Sequence, residues 1–247
     1  RDNTTTRNGW GFIRTNSRRT KNRRNTSRGK SWRTSYKRQS KQRKKTRKKE
    51  NESFEKKPED LVNNAKALYE KNKKLNSIIT PIFSSNNKFD KNEILSCIPY
   101  SLKDNVSTKG ILTTGGSKFL SKYVPPYSAT VYSLLKQSGA TLLSKDNMDE
   151  FGLGGTGLHS AYGIVKNPHD ESKIAGGSSS GSAVNVATGI SAFAIGTDTG
   201  DSVRRPASLC GVVGYKPTYG AISRYGVLPY APSLDHVGIL TKYVADA

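Results

Sequence analysis

Two serine-bearing, glycine-lined turns stand close together in this chain. The first is Gly176-Gly177-Ser178-Ser179-Ser180-Gly181-Ser182 and the second is Thr197-Asp198-Thr199-Gly200-Asp201-Ser202-Val203-Arg204. Glycine lets backbone N–H groups approach a substrate closely, and serine brings a hydroxyl that can attack, donate or accept. Such a pair can supply a nucleophile, a proton relay and an oxyanion hole once a base is found. Histidine is a poor source of that base here. His159, His169 and His236 read as surface or hydrogen-bonded loop residues, and their spacing is not that of metal ligands. Lysine serves better. Lys103 follows the apolar run 98–102, so its stem should be buried and its head should sit at the strand's C-terminal edge. Burial lowers a lysine pKa, and a neutral amine can take a proton. Most other lysines of the chain read as surface residues. Lys103 is set apart by the strand that leads into it and by Asp104-Asn105 after it. Taken singly, Ser178 and Ser202 read equally well as turn or helix-cap serines, and spacing alone leaves that choice open.

Two other patterns lose to blander readings. Gly152-Leu153-Gly154-Gly155-Thr156-Gly157 has the glycine spacing of a dinucleotide fingerprint. However, Asp149-Glu150-Phe151 stand where an apolar strand should, and no helix follows, so it reads as a glycine-rich loop. Gly177-Ser178-Ser179-Ser180-Gly181 matches the hydrolase elbow G-x-S-x-G, but that elbow needs a strand before it. Polar Asp170-Glu171-Ser172-Lys173 lie there instead, and His236 is the one histidine downstream.

The elements that must position these residues follow from periodicity. Apolar residues recur at helical spacing over 58–75, with Glu59 and Asp60 in the first turn. A polar loop covers 84–93, and a short strand covers 98–102. A helix is expected over 125–138, with Val131, Leu134 and Leu135 on one side and Gly139 as its stop. Residues 140–143 read as a buried strand and 146–157 as a loop. Residues 182–189 read as a short helix whose N-terminus points at the first serine turn. Buried strands are expected at 190–195 and 210–215, the latter closed by Lys216-Pro217. Strands alternating with helices argue for an α/β fold with a covered sheet.

Charge separates the chain into two parts. The formal net charge is +22, yet residues 1–50 hold 20 Lys/Arg against 2 Asp/Glu, leaving only +4 for the rest. Residues 1–55 therefore read as a disordered basic tail, too polar to bury a core. That tail is open to three readings: a solvated extension, an organelle transit segment, or an arm that neutralises nucleic-acid phosphates. Trp10, Trp32 and Tyr36 could stack on bases. Cys97 and Cys210 are too few for a disulfide framework or a cysteine zinc site. No apolar run approaches the ~20 residues of a membrane span.

Several separate motifs then occur in one order: Ile98-Pro99-Tyr100-Ser101-Leu102-Lys103-Asp104-Asn105, Asn147-Met148-Asp149-Glu150-Phe151, and the two serine turns. Together they resemble the amidase signature family. The run Lys216-Pro217-Thr218-Tyr219-Gly220, followed by Ser223-Arg224-Tyr225-Gly226 and Ser233-Leu234-Asp235, is similar to the A subunits of glutamyl-tRNA(Gln) amidotransferases within it. The resemblance covers residues 58 to 247, and the tail has no counterpart in it. It implies an α/β/α layered domain around a mixed sheet, of which 56–247 would be the N-terminal half. It implies a Ser–cis-Ser–Lys triad: Ser202 as nucleophile, Ser178 as the cis-serine relay, Lys103 as base. Backbone N–H groups of Thr199, Gly200, Asp201 and Ser202 would hold the oxyanion. The implied reaction is release of ammonia from glutamine, with no metal or cofactor in this chain. Glu-tRNA(Gln) would be amidated with ATP and Mg by a partner B subunit, with a C subunit completing the complex and no membrane involved.

Three departures from the family pattern matter. Asp201 stands where glycine is usual, and a carboxylate pointing inward there would repel an oxyanion, so Asp201→Gly is expected to raise activity in that orientation. Ser180 also replaces a common glycine. The chain covers about half of the family's domain, and the other half carries groups that hold the glutamine α-carboxylate and α-amine. Alternatives are a stand-alone amidase acting on another amide, a nucleic-acid-binding protein driven by the tail, and an inactive fragment. The basic tail and the Asn/Lys-rich composition suggest an organelle, plastid-type or mitochondrial; otherwise the cytoplasm.

Overall fold

The computed structural model describes residues 58–84 and 89–247, all within the unit Lys56–Ala247. The expectations for the basic tail, and for residues 85–88 of the polar loop, lie outside the described residues. Helix α1 (Pro58–Asn72) begins at a proline and carries Glu59 and Asp60 at its positive end. It buries Val62 and Ala65 against Leu143. A 3-10 turn, Lys73–Leu75, follows and ends at Asn76 in the left-handed conformation.

Six strands form one mixed sheet: β1 (Ile78–Pro81), β2 (Pro99–Lys103), β3 (Thr141–Asp146), β4 (Phe193–Asp198), β5 (Val213–Tyr215) and β6 (His236–Thr241). Their order is β1-β3-β2-β4-β6-β5. The central strands β3, β2 and β4 run parallel, while β1, β6 and β5 pair antiparallel at the flanks. Helix α2 (Thr130–Gln137) lies between β2 and β3 in the chain; helix α3 (Ser180–Thr188) precedes β4, and α4 (Arg204–Leu209) follows it.

The period of two along each strand sorts side chains to two cores. Tyr100, Leu102, Ile195 and Val237 pack with Val131 and Ala140 on one face. Ala194 and Leu240 pack on the other with Ala183 and Val184 of α3, Ala207 of α4 and Val203 just before α4. Helices thus cover both faces of a mixed sheet, which is the covered α/β architecture that the alternation of strands and helices implies.

Several boundaries differ from those read in the sequence. The second helix starts at Thr130 instead of Pro125, because residues 125–129 are spent elsewhere. The Pro125 carbonyl accepts from Gly110, Ser128 Oγ accepts from Lys109 N–H, and Ala129 N–H donates to Ser107. With that shorter helix, Val131 is buried but Leu134 stands in solvent. Strand β3 runs on through Ser144, Lys145 and Asp146. Of these, Asp146 reads in the sequence as the start of a loop, and Ser144 and Lys145 lie outside the expected strand, but each finds buried partners. Residues 190–192 form a turn after the α3 cap Gly189, so β4 begins at Phe193 and reaches Asp198. Strand β5 is shorter than expected, because Cys210 and Gly211 close α4. Helix α3 begins at Ser180, two residues early, and β1, α4 and β6 were not anticipated. Gly181 allows α3 to start so close to β3. A Cβ there would lie 2.1 Å from the Ser77 carbonyl and 2.6 Å from Asn147 backbone atoms.

Candidate active site

Lys103 is the last residue of β2 and is fully buried. Alternation sends Tyr100 and Leu102 under α2, so Ser101 and Lys103 face α3. Strand β4 runs parallel beside β2, with Leu102 opposite Ile195, which brings Thr197 to the Lys103 head. Lys103 Nζ lies 2.7 Å from Ser178 Oγ, 2.8 Å from Thr197 Oγ1 and 3.4 Å from the Thr197 carbonyl. Burial pushes the amine down to about 7, against the pull of Asp149, Asp198 and Asp235. Three neighbours suit a neutral amine. Its two N–H groups can donate to the two Thr197 oxygens, leaving the lone pair for the Ser178 hydroxyl proton.

Ser178 follows a cis Gly177–Ser178 peptide just before α3. Ser179 joins the two serine turns: its N–H donates to the Ser202 carbonyl at 3.1 Å, and its hydroxyl donates to the Thr197 carbonyl at 3.2 Å. Ser202 is buried in the turn between β4 and α4. Asp198 folds that turn back on itself. Its carboxylate accepts from Val203 N–H, Arg204 N–H and the Arg204 guanidinium, the last at 3.0 and 3.1 Å. Burial pushes the Asp198 carboxyl up, but these donors more than offset it and hold it below the usual range. Among the described residues, the N–H groups of Thr199, Gly200, Asp201 and Ser202 have no hydrogen-bond acceptor. Thr199 Oγ1 donates to Asp235 at 2.5 Å, which ties the same turn to the segment before β6.

Asp201 does not point inward. Its carboxylate accepts from Arg205 Nε at 2.6 Å and pairs with Nη2 at 2.5 Å, one turn along α4. The inward orientation from which a gain was expected is therefore absent. Asp201→Gly is expected to leave Ser202 acylation within about twofold and to cost at most ~1 kcal/mol, because the pair is exposed. Progress curves of active-site labelling and thermal melts check this; a clear gain in rate would contradict it. Ser180 is accommodated, its hydroxyl donating weakly to the Asn147 carbonyl.

Below these residues lies a second polar layer that the sequence did not disclose. Asp146 accepts from Ser101, Ser144, Ser182 and Asn185 at 2.7–2.8 Å, linking β2, β3 and α3. Lys145 is equally buried. It donates to the Val106 carbonyl and Thr113 Oγ1, with Asp104 at 3.5 Å. Asn105 Nδ2 donates to Thr197 Oγ1. The glycine pattern at 152–157 wraps around Asp149, which takes the Gly157 and His159 N–H groups, and no helix follows until α3. No strand precedes the 177–181 turn: the polar stretch 170–173 is followed only by an isolated bridge between Lys166 and Ile174. His159 and His169 are exposed loop residues, His169 Nε2 meeting the Cys210 carbonyl, whereas His236 opens β6 beside Lys216. Among the described residues, no cluster of His, Cys, Asp and Glu could hold a metal ion, and no helix is long and apolar enough to cross a membrane.

The amidase family profile matches residues 60–247. The chain belongs to the amidase family. It is similar to the A subunit of the glutamyl-tRNA(Gln) amidotransferase of Mycoplasma genitalium, 58% identical over 199 residues covering 78% of this chain and 42% of that protein. The protein of the same name from Mycoplasma pneumoniae is 68% identical over 152 residues, covering 62% of this chain and 32% of that one. Among solved structures, the A subunit of the Thermotoga maritima glutamyl-tRNA(Gln) amidotransferase superposes with a TM-score of 0.72 at 41% identity, over 77% of this chain and 42% of that one. A 6-aminohexanoate cyclic dimer hydrolase superposes equally well, TM-score 0.72 at 32% identity, over 79% and 42%. The chain spans less than half the length of these relatives.

Sequence reasoning selected Lys103, Ser178 and Ser202, and the structure puts the first two in direct contact and holds the third by its backbone. It passed over Thr197, Ser179, Asp149 and the Asp198–Arg204 pair. The Asp198–Arg204 spacing around Ser202 was the available signal: an acid and a base that bracket a glycine turn can clasp it.

Proposed function

We propose that this amidase-family chain carries the glutaminase chemistry of a tRNA-dependent amidotransferase. The observation that supports it most is the 2.7 Å contact between Ser178 Oγ and a buried lysine amine held near pH 7. Neutral Lys103 takes the Ser178 proton while Ser178 takes that of Ser202. Ser202 Oγ attacks the side-chain carboxamide of glutamine. The tetrahedral oxyanion is received by the unengaged N–H groups of Thr199, Gly200, Asp201 and Ser202, where one donor typically contributes about 3 kcal/mol. Ser178 returns a proton to the leaving nitrogen, ammonia departs, and water hydrolyses the Ser202 ester to glutamate. Lysine, two hydroxyls and backbone amides suffice for these steps, with no cofactor in this chain. The relatives are named as A subunits, which supports an assembly with further subunits; in this reading those are a B and a C subunit, and ATP and Mg in the B subunit would serve Glu-tRNA(Gln).

A glutamine-analogue electrophile incubated with the full chain is expected to modify Ser202, read by mass spectrometry, and to leave Ser202→Ala untouched. Modification elsewhere, or none, defeats the reading. The second reading is a stand-alone amidase, favoured by the equal superposition with the cyclic dimer hydrolase. It expects labelling by a fluorophosphonate but not by the glutamine analogue.

A further inference from the structure

Asp149 is fully buried, has no cation partner among the described residues and takes no part in the proton transfers above. Its two oxygens are shared out along one loop: Oδ2 accepts from Gly157 N–H at 3.1 Å and Oδ1 from His159 N–H at 2.9 Å. Its own N–H donates to the Ser178 carbonyl at 3.3 Å, and its carbonyl accepts from Gly152. The carboxylate also presses on two glycines. A Cβ on Gly177 would lie 2.0 Å from Oδ2, and one on Gly154 would lie 2.8 Å from it. Gly177 N–H donates in turn to the Gly155 carbonyl at 2.9 Å. One side chain therefore holds the glycine loop and the turn that carries Ser178 in a single arrangement, and both glycines are there because the carboxylate leaves no room for a side chain.

We propose that Asp149 is a positioning residue for the Lys103–Ser178 pair, its carboxylate wedged between Gly154 and Gly177 so that Ser178 is held against the Lys103 amine. This rests on the Ser–Ser–Lys reading above. The same carboxylate has an electrostatic effect on Lys103. It is the foremost of the three carboxylates that draw the amine's proton affinity upward against burial. The other charged groups around Lys103 are already engaged. Asp198 pairs with Arg204, and Asp235 is held by Thr199 and by the Tyr230 and Ala231 N–H groups. Asp104 and Lys145 face each other, and Asp146 is enclosed by four donors. Asp149 thus supplies a negative charge that no side-chain cation neutralises.

The test is the rate at which a fluorophosphonate labels Ser202 in the full chain, followed from pH 5 to pH 9. The unaltered chain is expected to label with an acid limb centred near 7. In Asp149→Asn, the charge is lost and only one oxygen remains to accept from two N–H groups. The limb is expected to move to lower pH by about one unit, and the plateau to fall by about tenfold. Asp149→Glu keeps the charge but carries it one methylene into Gly177, so the limb should stay in place while the plateau falls. Because the limb's position is independent of how much protein is folded, a merely structural role would not shift it. An unchanged limb in folded Asp149→Asn, whatever its plateau, or full-rate labelling in Asp149→Glu, overturns the proposal. Failure of the unaltered chain to label at all overturns instead the Ser–Ser–Lys reading beneath it.

Discussion

Lys103→Met is expected to abolish acylation of Ser202, by roughly 10³-fold or more, and at the same time to make the protein more stable at neutral pH. The two effects share a cause. The amine is fully buried, and burial pushes it from 10.5 down to about 7 in the folded chain. Below 7 it is charged in both folded and unfolded states, and the fold bears the full penalty of burying that charge. Between 7 and 10.5 the unfolded chain binds a proton that the folded chain does not, so the parent's stability rises with pH across that window. Above 10.5 the penalty is gone. At pH 7 it is on the order of 4 kcal/mol by the ordinary conversion of a pKa difference. Methionine removes it but leaves Ser178 Oγ and Thr197 Oγ1 each without one partner, at about 1 kcal/mol apiece. A net gain of roughly 2 kcal/mol at pH 7 is expected, shrinking through zero as pH rises toward 10. Urea melts at both pH values check the sign. A Met variant less stable than the parent at pH 7, or one that still labels, contradicts the account. The parent's labelling rate should in turn rise about tenfold per pH unit up to 7 and level off above it, if the neutral amine is the base as proposed.

Asp146→Ala is expected to be the most destabilising single change near the site. Four donors converge on that carboxylate, from Ser101 on β2, Ser144 on β3, and Ser182 and Asn185 on α3. Alanine strands all of them in the interior, each at ~1–3 kcal/mol, which outweighs the ~3 kcal/mol returned at pH 7 by removing the buried carboxylate, for a net loss of about 4 kcal/mol. That is a large part of the ~5–15 kcal/mol by which a domain is usually stable. Asp146→Asn keeps one acceptor, and the serine hydroxyls can turn to accept from its amide, so it should lose less than half as much. The two differ from the parent in pH response as well. Burial pushes the Asp146 carboxyl up to about 6, against the four donors that lower it. A folded pKa above the unfolded 3.8 means that the folded chain holds the extra proton between about 4 and 6. The parent should therefore lose stability as pH rises through that window, and Asp146→Asn should not. Thermal melts at pH 4 and pH 7 decide it: a parent more stable at pH 7 relative to Asp146→Asn would contradict the sign. Since α3 carries Ser182 and begins two residues after Ser178, loosening it should also slow Ser202 labelling in whatever fraction remains folded.

Residue types and order by themselves determined the family and the covered α/β sheet, and singled out Lys103, Ser178 and Ser202 as candidates. Lys103 could be singled out because an apolar run leads into it, and period-two alternation commits it to a face once the strand is granted. The serine turns were visible because glycine and serine cluster there. What sequence could not give was partnership across long separations. Lys103 and Ser178 are 75 residues apart, and their contact depends on β4 lying parallel to β2 and on α3 starting at Ser180. The polar ends of β3 and β4 escaped the sequence reading for the same reason. Asp146 reads as loop and Asp198 as turn until donors from other elements surround them, and Lys145 is accounted for only by acceptors on the segment after β2. Asp201 marks the limit most clearly. Its charge beside Ser202 is plain in the sequence, but only the first turn of α4 turns it away, toward Arg205. Local pattern is set by backbone periods that any stretch of chain carries within itself. The protonation and direction of a side chain depend on which distant groups share its burial, and tertiary packing alone decides that.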